Sequence, residues 1–320
     1  MAKARMKIMR RIAAMIAVVM GIALMGFAET VENVRGSQRE NSKLVDIYYD
    51  LNDTDGGTYH VEVEVVGRTS EVNASSFSGD VGEGVVPGQN RRIVWDAGAD
   101  WPGNKGDVKA VVTAIKGGKP NKVQLWEGGP YWADRNIGGE NPWDYGLYFW
   151  WGDTVGHRPS GMTFDFSFSR SVPTINKSIA NLQSEGWIVS QDGTYVLTPS
   201  HDAAHVKWSG GWRMPTYQEL CDLCYSKCDW TWTTMNGVNG YVVQGRGNYA
   251  SNSIFLPCAG YGDGTSLNSS GSEGVYWSSV PYSGNDRSTY LSFYSGSRMT
   301  YNYYFGGNLR YLGCSVRPVQ

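Results

Sequence analysis

Residues 274–320 read GVYWSSVPYSGNDRSTYLSFYSGSRMTYNYYFGGNLRYLGCSVRPVQ, and this stretch sets the terms for the fold. Leu291 and Phe293 alternate with Tyr290, Ser292 and Tyr294. A period of two predicts a strand, with the first pair turned to the core and the others to solvent. Cys314 and Val316 repeat the pattern in a closing strand that also faces inward. Between these runs Tyr, Ser, Gly and Asn dominate, with Arg interspersed. That is the composition of an antibody-like paratope, where rigid aromatics supply contact area and small polar residues supply adaptable hydrogen bonds. A core segment would carry more Val, Leu and Ile, and a disordered tail fewer aromatics. Exposed clusters of Tyr and Arg are unusual without a partner. The expected ligand-binding surface is therefore Tyr282, Asn285, Asp286, Arg287, Tyr290, Ser292, Tyr294, Arg298, Tyr303, Tyr304, Asn308 and Arg310.

Outward from this stretch, 320 residues suggest about two domains. Only 18% of residues are charged, against roughly 25% in an average soluble domain. Thirteen Trp and 41 Gly point to a loop-rich fold pinned by large aromatics. The net charge of −2 gives no global electrostatic case for nucleic acid or an anionic membrane as partner. Residues 1–28 read as a signal peptide: Lys3, Arg5, Lys7, Arg10 and Arg11, then an apolar run over 12–25, then Gly26-Phe27-Ala28 before Glu29. The apolar run is shorter than the ~20 residues a spanning helix needs. The expected location is outside the cytoplasm: periplasmic, at the cell surface or extracellular. Export permits disulfides. Of the five cysteines (Cys221, Cys224, Cys228, Cys258 and Cys314), the last two sit in strand-like runs, so a Cys258–Cys314 bridge is a candidate pairing.

Residues 29–42 are polar and read as a flexible segment. Residues 43–51 (KLVDIYYDL) and 58–66 (TYHVEVEVV) are β-rich, with Val61, Val63 and Val65 alternating with charged or polar neighbours. The intervening Asn52-Asp53-Thr54-Asp55-Gly56-Gly57 is turn chemistry, so the pair reads as a hairpin. With RRIVW at 91–95 and DVKAVVTAI at 107–115, short strands fill residues 43–115 and predict an all-β immunoglobulin-like sandwich. Its Asp80, Asp96 and Asp100 read as turn caps in preference to calcium ligands. Residues 116–122 (KGGKPNK) are a linker by composition. In residues 123–320 helices are expected over 176–185, over 200–207 with Ser200 as cap, and over 216–228. The third carries a capping box, Thr216 with Glu219.

The second module contains an ordered set of motifs. It begins with Val123-Gln124-Leu125-Trp126, Tyr131-Trp132-Ala133, Asn136-Ile137-Gly138, Tyr145-Gly146 and Phe149-Trp150-Trp151-Gly152-Asp153. Trp212-Arg213-Met214-Pro215-Thr216, Trp230-Thr231-Trp232-Thr233-Thr234 and Asn236-Gly237-Val238-Asn239-Gly240-Tyr241 follow. Ser253-Ile254-Phe255-Leu256-Pro257, Ala259-Gly260-Tyr261, Tyr276-Trp277-Ser278-Ser279 and Ser315-Val316-Arg317-Pro318-Val319 complete it. In this order they resemble the Fibrobacter succinogenes major paralogous domain over essentially all of residues 123–320. The resemblance implies an α+β, C-type-lectin-like fold related to the formylglycine-generating enzymes, with short strands and long ordered loops, in an exported bacterial protein. Related lectin-fold proteins are targets of diversity-generating retroelements that vary surface residues near the C-terminus.

Catalytic signals are weak. Formylglycine-generating enzymes hold copper with two neighbouring cysteines near the C-terminus, whereas here Cys314 has no close sequence partner. His201 and His205 stand one helical turn apart, but Asp202 replaces the Glu that a zinc protease needs as general base. That segment reads instead as a surface helix packing through Ala203, Ala204 and Trp208. Trp150-Trp151 and Trp230-Thr231-Trp232 read as core packing rather than sugar platforms. No metal site, cofactor or enzymatic activity is expected. The expected function is recognition of a protein or glycan, with two alternatives: a structural adhesion component, or a degenerate relative of the formylglycine-generating enzymes without a copper site.

Overall fold

The computed structural model describes residues 30–53, 57–68, 72–103, 106–208, 211–301 and 307–320. The expected signal peptide at 1–28 lies outside them, as do Tyr303 and Tyr304. Strand accounts for 48% and helix for 12%, so small antiparallel sheets, rather than helix packing, build the molecule. Among the described residues no helix is long and apolar enough to cross a membrane.

The first module contains β1 (Thr30–Gln38), β2 (Leu44–Asn52), β3 (Tyr59–Gly67), β4 (Phe77–Gly79), β5 (Gly82–Val85), β6 (Gly88–Asp96), α1 (Ala97–Asp100) and β7 (Val108–Lys116). Two sheets form, in the orders β1-β2-β6-β4 and β5-β3-β7. They share one apolar core, to which β2 contributes Val45, Ile47, Tyr49 and Leu51 while β3 contributes Tyr59, Val61 and Val65. Two expectations change. Residues 30–38 are not a flexible segment, because β1 pairs antiparallel along β2. And β2 with β3 is not a hairpin: each pairs with strands distant in sequence, β2 with β1 and β6, β3 with β5 and β7. A turn-forming connection can equally well carry the chain from one sheet to the other, and burying both apolar faces against each other requires that crossing.

On the outer face of β2, Asp46 accepts hydrogen bonds from Arg39 Nε and Nη2, both at 2.9 Å, and from Arg92 Nε. The Arg39 bond, reinforced by Arg92, holds the Asp46 carboxyl at about 2. Asp50 lies below the usual carboxylate range because Asn90 N–H and then the Asn33 amide donate to it. Asp96 caps α1 by accepting from Gly98 and Ala99 N–H. Burial would raise the Asp100 carboxyl, but the N–H groups of Ser76 and Ser75, the Ser76 hydroxyl and the Trp95 indole outweigh it and lower it.

The expected linker is short and held. Lys116 ends β7, and the chain turns at Gly117 and Gly118, whose φ values of 70° and 81° favour glycine. The buried Arg135 of the second module donates to the carbonyls of Gly117 and Gly118. Lys116 Nζ pairs with Asp53 at 2.9 Å and lies 3.9 Å from Glu140. Ile115 belongs to the second module's apolar cluster.

In the second module β8 (Lys122–Gln124) pairs with β9 (Tyr131–Ala133), and β10 (Thr163–Phe168) precedes α2 (Ile179–Ser184). A hairpin of β11 (Ile188–Gln191) and β12 (Thr194–Leu197) leads to α3 (Ala203–Trp208) and α4 (Tyr217–Cys221). One sheet consists of β13 (Cys228–Met235), β14 (Val238–Gly245) and β15 (Ser253–Pro257). Then β16 (Tyr261–Asn268) pairs with β10. The last sheet orders β17 (Glu273–Pro281), β18 (Arg287–Tyr294) and β19 (Ser297–Tyr301), with β20 (Asn308–Leu309) on the start of β18.

This last sheet is covered on both faces. Val275 and Trp277 enter one apolar cluster together with Trp151, Trp212 and Leu312. Tyr276, Leu291 and Phe293 enter another with Leu220, Val243 and Leu256. Gly274 fits because the Phe293 ring lies across it: a Cβ there would stand 2.1 Å from the ring. The expected helices are shorter than their sequence windows. Asp202, not Ser200, caps α3, accepting from Ala204 N–H at 2.9 Å and His205 N–H at 3.1 Å. The capping box of Thr216 and Glu219 is present, and α4 passes into a π-turn over Asp222–Ser226.

Candidate functional site

The antiparallel sheet places the C-terminal residues by simple geometry. Leu291 and Phe293 are 1% and 0% exposed, as their alternation predicts, and Tyr294 is 51% exposed at the end of β18. Ser292 departs from the pattern. It is buried and donates to Glu273 Oε1 at 2.8 Å, because its face of β18 is also covered. Tyr290 stands across from Trp277, half-buried, with ring centroids 6.2 Å apart.

Arg310 is the largest departure. Expected on the surface, it is fully buried. Its Nη1 donates to the carbonyls of Thr174 (2.9 Å), Lys177 (2.9 Å) and Asn285 (3.1 Å). Nη2 donates to Gly284 O at 3.2 Å, and Nε to Arg287 O at 2.9 Å and Ser288 Oγ at 3.1 Å. The guanidinium also lies 5.2 Å from the Trp151 ring. Burial lowers its pKa to about 10, which leaves it charged at neutral pH. A guanidinium offers five N–H donors in a fixed fork, and here the fork reads loop carbonyls rather than a ligand.

The consequence is a loop supported from beneath. Between β17 and β18 the carbonyls of Gly284, Asn285 and Asp286 all point to Arg310 or to backbone N–H groups: Arg310 N donates to Asp286 O and Lys177 N to Asn285 O. The Asn285 side chain is exposed, and those of Tyr282, Asp286 and Arg287 are partly so. Arg170 Nη1 stands 3.5 Å from Asp286 Oδ2, and Arg287 Nη1 donates to Gly307 O at 2.7 Å. Asn308 is half-buried, its Oδ1 accepting from Leu309 N–H.

Tyr294 and Arg298 belong to a different place. They flank the β18–β19 turn, at the opposite end of β18 from the 282–286 loop. An eight-residue strand at ~3.3 Å per residue separates its ends by roughly 23 Å. At that far end Arg298 Nε donates to Cys224 O at 2.9 Å, and its guanidinium lies 5.6 Å from the Trp230 ring. The Trp230 indole donates to Leu223 O at 2.8 Å. The described residues of the sequence-based group therefore separate into two outward patches, the half-buried Tyr290 and a buried remainder (Ser292 and Arg310). Arg170 and Trp230 join these patches from distant segments.

The five cysteines form no disulfide. Cys258 and Cys314 are buried in separate apolar clusters, so the expected bridge is absent. Burial raises the Cys258 thiol to about 12 and the Cys314 thiol well above its ordinary value. Cys224 and Cys228 are likewise raised by burial, each to about 12. High thiol pKa values oppose both nucleophilic and metal-binding chemistry. Among the described residues no group of three or more His, Cys, Asp or Glu is arranged to hold a metal ion. His201 packs 4.0 Å from the Trp187 ring, while Ala203, Ala204 and Trp208 are buried. Trp151 is buried with its indole donating to Ser278 O at 2.9 Å, a packing role. Comparison with protein-family models, with curated proteins and with solved structures finds no match.

Proposed function

We propose that this is an exported bacterial recognition protein that binds a protein or glycan at a cell surface through the 282–287 loop. On this reading the first module is an immunoglobulin-like stalk and the second a lectin-like domain of the major paralogous type. The observation that carries it is the division of labour around Arg310. The loop's carbonyls are held from below, so its outward side chains are presented without a large ordering cost on binding. Tyr, Asn, Asp and Arg on such a platform are suited to contact, and matured antibody loops use the same pre-organisation. The basic leader, the motif series resembling the major paralogous domain, and the low charge content support the export and lectin-like parts of the proposal.

Binding of the protein to intact bacterial cells and to arrays of anionic glycans tests this. A Tyr282→Ser, Asn285→Ala double variant is expected to lose binding at least tenfold while its circular dichroism is unchanged. Tyr294→Ser should bind as the parent does. Loss only with Tyr294→Ser would move the site to the other end of β18. Equal binding by all three proteins, or none, would overturn the proposal.

A further inference from the structure

A cleft of about 640 Å³ opens between the β11–β12 hairpin and residues 211–219, and reaches Ser279 and Val280 on β17. Its volume falls within the roughly 300–1,000 Å³ typical of small-ligand sites. One wall is a single face of the hairpin: Val189 pairs with Val196 and Gln191 with Thr194. Leu197, Trp212 and Met214, all buried, form an apolar base.

The charges in the cleft are already matched. Asp202 accepts from the N–H groups of Ala204, His205 and Met214, the last at 2.9 Å and 3.1 Å to its two oxygens. Arg213 pairs end-on with Glu219, Nη1 to Oε2 at 2.8 Å and Nη2 to Oε1 at 2.5 Å. Glu219 Oε2 also accepts from Thr216 N–H at 2.7 Å. Among the described lining residues no Lys or Arg is left unmatched to hold a phosphate, sulfate or carboxylate, which strong anion binding requires. The one carboxylate on the lip, Asp192, is exposed at the hairpin turn and would repel an anion. Among the other accessible polar groups of the lining, Gln191, Thr194 and His205 can both donate and accept.

We propose that this cleft binds a short segment of a neutral oligosaccharide. A pyranose ring has C–H faces for the apolar base and hydroxyls that donate and accept in turn, which the amide, hydroxyl and imidazole of the walls complement. The outer edge of the planar Arg213–Glu219 pair offers further partners to hydroxyls without adding net charge. This site is separate from the 282–287 loop and stands or falls independently of it.

Isothermal titration of the protein with neutral tetrasaccharides of glucose, xylose and N-acetylglucosamine tests the proposal, with glucuronate-containing counterparts as the anionic arm. At least one neutral sugar should bind tighter than ~1 mM. Thr194→Trp, which fills the cleft from an exposed strand position, should weaken it at least tenfold. The Gln191→Ala, Thr194→Ala double variant, which removes contacts without adding bulk, should weaken it several-fold. The Tyr282→Ser, Asn285→Ala variant should bind the sugar unchanged. Binding confined to the anionic sugars, affinity unchanged in both cleft variants, or no neutral sugar binding within that limit would each overturn it.

Discussion

Arg310 and Arg317 show how much a single side chain organises here. Arg317 is 1% exposed and donates to Asn136 Oδ1 at 2.9 Å, Ala133 O at 3.2 Å and Phe255 O at 2.9 Å. It ties the C-terminal segment to two segments more than sixty residues away. Arg310 does the same for the 282–287 loop and residues 174–177. Buried carbonyls left without a donor cost ~1–3 kcal/mol each. Arg310→Ala is therefore expected to destabilise the protein by on the order of 3 kcal/mol or more, read from urea midpoints. Arg310→Lys should recover little, because an ammonium cannot reproduce the planar fork. A surface role for Arg310 would instead leave stability nearly unchanged.

At the scale of elements, local chemistry set where α4 starts, while tertiary packing set where it ends and where α3 begins. The Thr216–Glu219 box starts α4 as its spacing predicts, but the helix gives way to a π-turn so that Leu223 and Cys224 reach the core. For α3, Ser200 is the cap expected from the sequence. Asp202 is used because it is buried beside Met214 and can satisfy that N–H as well as two of the helix. Burial raises its pKa, opposed by the N–H donors of Met214, His205 and Ala204. Asp202→Ala should cost roughly 2 kcal/mol, combining a lost cap with an orphaned N–H. Ser200→Ala should stay within ~0.5 kcal/mol. Thermal unfolding of the two variants separates the assignments, and the reverse order would restore Ser200 as the cap.

Across the whole molecule, the two modules are stapled by Arg135, by Lys116 facing Glu140, and by Ile115, rather than separated by a free spacer. The first module relies on carboxylates held below their ordinary range, Asp46 at about 2 by Arg39 and Arg92, with Asp50 and Asp100 lowered as well. A carboxyl with a folded pKa below its unfolded value binds fewer protons when folded, so acid favours unfolding. The stability Asp46 supplies is complete above about pH 4 and lost as pH falls through about 2, and Asp50 and Asp100 add to the loss in the same direction. The urea midpoint should therefore drop between pH 4 and pH 2. Asp46→Asn should flatten that drop while lowering stability at neutral pH. An equally steep drop in the variant would show that Asp46 contributes nothing to it.

The sequence by itself determined the strand-rich character of the chain, the inward set of Val61, Val65, Leu291 and Phe293, the capping box, and a buried role for many tryptophans. These are local facts, carried by a period of two or by a hydrogen bond spanning three residues. Only the tertiary structure decided that β2 and β3 part into opposite sheets and that residues 30–38 pair as a strand. It also decided that Ser292 and Arg310 are interior and that the polar C-terminal residues divide between two ends of β18. The cleft between the hairpin and residues 211–219 likewise has no signature in the chain. The physical reason is common to all: a side chain's exposure depends on what covers it, and the covering groups arrive from segments distant in sequence. Composition marks Tyr, Asn and Arg as able to face a partner, but a buried arginine clamp and a surface anchor are written with the same residue.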